Sequence, residues 1–182
     1  MKEMLIVMLA CIGANNFVLE NFVGYDSLAE EARKYRNPLY VSILLTVTLL
    51  IAVTGTNALE LALIPAVPAL RTLIYVAVVM VSAGIVSFAA SRIAALKGNV
   101  TFISLLLNSA VLGTLLLMNV SSFTWGQSYF AVLGTGIGYY LVSLIINGVI
   151  DRIDMKAVPE SFRGYPIYLA AFSIAALAIY AF

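Results

Sequence analysis

The side chains able to do chemistry in this 182-residue sequence are mostly amides and acids set in apolar surroundings. Asn15 and Asn16 open the string Asn15-Asn16-Phe17-Val18-Leu19, and Asn108 and Ser109 open Asn108-Ser109-Ala110-Val111-Leu112. Both strings read Asn-x-x-Val-Leu, and they stand 93 residues apart. An amide in lipid is costly unless something satisfies it. Matched polar positions in two halves of a chain therefore point to a duplicated unit with a working polar centre. Glu20 follows Asn16 by four positions, which on a helix puts the two on one face. Oxygen ligands so placed can hold Na⁺ or relay a proton. A segment that simply ends there would instead leave Glu20 in water beside Asn21. For Asn108 and Ser109 the alternatives are bonding between helices and a role in a lumen.

Those groups need elements to position them, and composition says which. The chain is 63% hydrophobic and 10% charged, with a net charge of +1. A soluble domain carries about 25% charged residues, so this is an integral membrane protein whose first partner is lipid. A nucleic-acid footprint would show as a basic face, and none is present. Six apolar stretches, at about 3 to 24, 38 to 56, 72 to 96, 100 to 118, 129 to 150 and 165 to 182, each approach the ~20 residues needed to cross the hydrocarbon. Backbone groups in lipid must be satisfied within their own segment, and the alternation of a membrane barrel is missing, so the stretches are helices. The fold class expected is all-α integral membrane, with six transmembrane helices in one domain over residues 1–182.

Orientation follows from the basic residues. Eight of the ten lie in alternate connections: Arg33, Lys34 and Arg36; Arg92 and Lys97; Arg152, Lys156 and Arg163. Only Lys2 and Arg71 lie on the other side. The positive-inside rule then puts the odd-numbered connections in the cytoplasm and both termini outside. Three spans per half invert the second half relative to the first. A second matched pair agrees with this: Val67-Pro68-Ala69-Leu70-Arg71 precedes the third stretch and Val158-Pro159-Glu160-Ser161-Phe162-Arg163 precedes the sixth, their prolines 91 residues apart. The expected repeats cover residues 1–97 and 98–182. Helices 1 and 4, which carry the amides, are the candidates for interruption.

These strings, with Phe22-Val23-Gly24, Leu70-Arg71-Thr72, Ala110-Val111-Leu112-Gly113 and Phe162-Arg163-Gly164, carry a resemblance along the whole chain. The sequence resembles the A and E subunits of the Rnf electron-transport complex and the D and E subunits of the sodium-pumping NADH:quinone oxidoreductase, Nqr, and most of all the A subunit of Rnf. The resemblance implies a prokaryotic plasma (inner) membrane location. It also implies pairing with a homologous six-helix subunit or with a second copy, and flavin and ferredoxin-type subunits as further partners. Such a pair forms a core that passes electrons and assists Na⁺ or H⁺ movement. Family members place cysteines in Phe-x-Gly-x-Cys and Asn-Cys-Ala-Val-Leu-Gly strings, and two subunits share a [2Fe-2S] cluster. Here those positions are Asp26 and Ser109. Clusters are held by thiolates, with histidine the usual substitute. The chain has no histidine, and its one cysteine, Cys11, stands at neither position. No cofactor is expected in this chain, and the function expected is a structural and ion-path subunit of such a complex. The alternative is a stand-alone small transporter or channel on the same scaffold.

The remaining features have plainer readings. Gly134 and Gly138 form a Gly-x-x-x-Gly face suited to close helix packing. Thr46, Thr48, Thr54 and Thr56 can return their hydroxyls to the preceding turn. Trp125, Tyr129, Tyr165 and Tyr168 fall near expected interfaces as headgroup anchors. Pro65 and Pro68 disfavour a continuous helix over 61–70, and residues 26–37 form a short helix of mixed charge. One cysteine allows no internal disulfide or cysteine-only metal cage. No glycine-rich phosphate cradle or metal-ligand cluster appears, so an enzyme label fits only an assembled complex.

Overall fold

The computed structural model describes residues 2–13, 15–34, 37–62, 70–92, 109–121 and 123–180. Within them every regular element is helical: α1 Lys2–Ile12, α2 Phe17–Asn21, α3 Tyr25–Lys34, α4 Pro38–Ala62, α5 Arg71–Arg92, α6 Ser109–Val120, α7 Trp125–Ile150 and α8 Tyr165–Tyr180. A 3-10 turn, Glu160–Phe162, precedes α8. The expected interruption of helix 4, the proline connection at 65 and 68, and Asn108 lie outside the described residues.

Helix ends follow local chemistry. Pro38 opens α4 from the first-turn position that proline favours, and Asn37 Oδ1 accepts the Leu39 N–H at 3.1 Å. Before α7, Gln127 Oε1 accepts the Thr124 N–H at 2.9 Å, the reciprocal arm of a capping box. Three helices are long and apolar enough to span a bilayer: Pro38–Leu61, Arg71–Arg92 and Trp125–Ile150. The first stretch is interrupted, as its amides suggest, and the last is described to Tyr180. The first breaks after the 11 residues of α1, and α8 has 16 residues, or ~24 Å at 1.5 Å per residue.

The core forms around α7, which packs against α1, α4 and α8. Tyr139, Val142 and Ile146 of α7 meet Leu45, Leu49 and Val53 of α4, with Val18, Val111 and Phe172 completing the buried set. The Gly134 and Gly138 face receives α1. A Cβ on Gly134 would sit 2.5 Å from the Met8 carbonyl oxygen, and one on Gly138 would sit 3.0 Å from that of Cys11. The threonine hydroxyls do turn back along α4, Thr46 to the Ser42 carbonyl and Thr56 to that of Ala52. Trp125 and Tyr165 are half-exposed. Tyr168 is buried instead, because α8 turns that face onto the core.

Candidate functional site

The first polar centre is built by a break in the chain. α1 stops at Ile12 and α2 starts at Phe17, so carbonyls at one helix end and N–H groups at the next need partners. Asn16 serves both ends. Its Oδ1 accepts the Val18 N–H at 3.0 Å as N-cap of α2, and its Nδ2 donates to the Ile12 carbonyl at 3.0 Å. The residue is buried at 3% exposure, against the Gly138 backbone. Asn15 is exposed. Glu20, also exposed, shares with Asn16 a cavity of about 410 Å³ bounded by Ser173 and Leu177 of α8. Both ends of the Asn16 carboxamide are thus committed to backbone, while Glu20 is the carboxylate beside that cavity.

The second centre joins positions 83 residues apart. After α2 the backbone turns through Phe22, left-handed at φ 55°, and Gly24 at φ 86°. A Cβ on Gly24 would lie 2.8 Å from the Ala110 Cβ and 3.2 Å from the Tyr139 ring. Only glycine meets both demands, the positive φ and the close approach to α6. That approach places the Gly24 N–H 2.9 Å from Ser109 Oγ, which accepts it. The Ser109 hydroxyl in turn donates to Asp26 Oδ1 at 2.6 Å. Asp26 lies in the first turn of α3, and Ser109 is the first residue of α6. Ser27 and the Tyr139 hydroxyl share a hydrogen bond at 2.8 Å, and the Tyr25 hydroxyl donates to the Tyr165 carbonyl at 2.7 Å, tying the turn to α7 and α8. Asp26 and Ser109 are both exposed on the chain's surface. Cys11, buried beside Gly134, does not join them.

A third cluster joins Arg71 of the first proline string to Glu60, Tyr75 and Asn119, which no motif or repeat marks. Glu60 Oε1 accepts the Tyr75 hydroxyl at 2.6 Å and Asn119 Nδ2 at 3.0 Å. Asn119 Oδ1 accepts from Arg71 at 3.1 Å, and the Arg71 Nε stands 3.9 Å from Glu60 Oε1. These residues come from the end of α4, the start of α5 and the end of α6. Beyond the string that holds Arg71, the signal in the sequence is that one acid, one base and one amide each interrupt apolar surroundings at a helix end. Among the described residues no group of three or more His, Cys, Asp or Glu side chains could hold a metal ion.

Known proteins match this chain over its full length. The family model described as Rnf-Nqr subunit, membrane protein, matches residues 4–182. The A subunit of an ion-translocating oxidoreductase complex from Syntrophotalea carbinolica is 28% identical, the match covering 100% of this chain and 97% of the relative. The A subunit of the Na(+)-translocating ferredoxin:NAD(+) oxidoreductase complex of Acetobacterium woodii is 22% identical over 98% of this chain and 96% of its own. The A subunit of the ion-translocating oxidoreductase complex of Ectopseudomonas mendocina is 27% identical over 100% and 97%. With its long apolar helices, the chain is a multi-pass membrane protein. It belongs to the Rnf-Nqr subunit family.

Proposed function

We propose that this chain is a core membrane subunit of an Rnf-like ion-translocating electron-transport complex, contributing structure and an ion path but no iron-sulfur ligands of its own. The observation that carries this reading is the Ser109 to Asp26 hydrogen bond of 2.6 Å. The turn at Gly24 brings together the two positions where the family resemblance implies cysteines, so the architecture that frames the ligands is present. The donors are not the ones a cluster needs. A carboxylate and a hydroxyl already bonded to each other do not fit a [2Fe-2S] cluster, which takes thiolates, and Cys11 is buried elsewhere. Electron carriers then belong to partner subunits of flavin and ferredoxin type.

The exposed Asp26 and Ser109 face outward from the chain, which suits contact with a homologous six-helix subunit or with a second copy. The two halves, 1–97 and 98–182, are inverted copies in this reading; family membership favours a prokaryotic plasma membrane, and the basic residues favour both termini outside. The test is affinity capture of the full chain from its native membrane under mild detergent. Co-purification with subunits carrying flavin and iron-sulfur centres is the expected result. Recovery of the chain alone or with only its own copies would favour a stand-alone transporter.

A further inference from the structure

The cluster at Glu60 lines a cavity of about 250 Å³ whose polar side chains are Thr56, Asn57, Glu60, Arg71, Tyr75 and Asn119, with Ser128 at its rim. Three features of the cavity do not fit a merely structural ion pair. First, the carboxylate makes its short bonds to neutral donors, Tyr75 at 2.6 Å and Asn119 at 3.0 Å. The charged partner stands back: Arg71 Nε is 3.9 Å away, beyond the ~2.7–2.9 Å of a charge-assisted bond. Arg71 spends its hydrogen bond on Asn119 instead, and its side chain is 45% exposed.

Second, the Asn57 Nδ2 atom is sealed from water with no hydrogen-bond partner. An amide turned over about its last torsion would present its oxygen to the same space, and it would give up no bond of its nitrogen in doing so. Third, Thr56 donates its hydroxyl hydrogen to the Ala52 and Val53 carbonyls at 2.9 and 3.1 Å, which leaves lone pairs on its oxygen. Asn57 is one turn below Glu60 on α4, so the amide lies deeper in the bundle than the acid, along the same cavity.

We propose that Glu60, Tyr75, Asn57 and Thr56 form a binding site for a small monovalent cation, with Arg71 as a tethered cation that neutralises the carboxylate when the site is empty. The donor set is one carboxylate among neutral oxygens. Divalent sites gather several carboxylates, so a single negative charge matches a single positive one. Cation entry displaces the Arg71 guanidinium, whose hold on Glu60 is long and whose side chain has room to leave. Binding of the ion and approach of Arg71 to Glu60 are therefore mutually exclusive and coupled.

The choice of Na⁺ as probe rests on the ion-translocating reading above; the geometry does not. The full chain in detergent is unfolded thermally across an NaCl series, with choline chloride holding ionic strength constant. Wild type is expected to show a saturable rise in Tm with Na⁺ and none with choline. Glu60→Gln abolishes the rise. Arg71→Met, which removes the competitor without adding an oxygen, lowers the half-saturating Na⁺ concentration on the order of tenfold. The proposal is overturned by a wild type that responds equally to both salts, by a Glu60→Gln protein that keeps the Na⁺ response, or by an Arg71→Met protein whose half-saturation is unchanged or higher. If Glu60→Gln does not fold, the wild-type and Arg71→Met titrations decide the matter between them. A chain that captures redox partners yet ignores Na⁺ rejects this site and leaves the proposed function standing; the converse result rejects the partner reading alone.

Discussion

The two ends of α6 carry polar clusters of different construction. At Ser109 the contacts are few and exposed: one hydroxyl links the Gly24 backbone to the Asp26 carboxylate. At Asn119, ten residues or ~15 Å along the helix, three side chains, Arg71, Tyr75 and Asn119, interlock around Glu60. The first cluster depends on the backbone, since the sharp turn at Gly24 delivers it whatever the side chains are. The second depends on the side chains, which hold one another. A backbone-built frame can lose its original ligands and keep its shape, and the Asp26–Ser109 contact has the form such a loss would leave. A side-chain network has no such reserve.

The second half of the chain sharpens this contrast. Each of the two proline strings ends in an arginine, Arg71 and Arg163. Arg163 donates to the Val158 and Lys156 carbonyls, closing its own loop, whereas Arg71 reaches across to α6. Arginines in similar strings thus serve a loop at one place and a cavity at the other.

The largest effect should come from disturbing the backbone frame. Gly24→Val puts a branched side chain at positive φ and into Ala110, at a cost of about 3 kcal/mol or more, enough to lower the thermal midpoint sharply or prevent folding. A Gly24→Val protein of wild-type stability would show that the turn does not carry the frame. Next comes Asn119→Leu, which removes the partner of Glu60, Tyr75 and Arg71 together and should cost about 2 kcal/mol by the same assay. Asn16→Ala removes the N-cap of α2, a loss of about 1 kcal/mol, and Asn16→Asp should recover little of it, because its carboxylate still caps but cannot donate to the Ile12 carbonyl 3.0 Å away. Ser109→Ala should cost about 1 kcal/mol or less, since water can reach the exposed Asp26 in its place. If Ser109→Ala proves costlier than Asn119→Leu, the ranking of the two clusters is reversed.

Much of the architecture was legible in the residues. Apolar length gave the long helices α4, α5 and α7, and the amide string marked the break that Asn16 spans. The face of Gly134 and Gly138 was readable as a packing surface, although α1 as its occupant was not. Ser109 stood out in the repeated amide string, but Asp26, and the pairing of the two, only through the family resemblance, because nothing in their spacing of 83 residues says that a turn joins them. Glu60 escaped notice for a related reason. Its partners Tyr75 and Asn119 lie 15 and 59 residues away, and neither the proline string nor the topology count that features Arg71 points to Glu60. Tyr168 reads as an interfacial anchor by type, but helix rotation, which a short apolar helix does not encode strongly, turns it inward.

The central claim is that the ligand frame survives here without its cluster. Its most direct test is iron and acid-labile sulfide analysis of the anaerobically purified complex, comparing wild type with the Asp26→Ala, Ser109→Ala double variant. The expected result is that iron and sulfide content is the same in both, with all of it assigned to partner subunits. A stoichiometric [2Fe-2S] centre that is present in wild type and lost in the double variant would contradict the account.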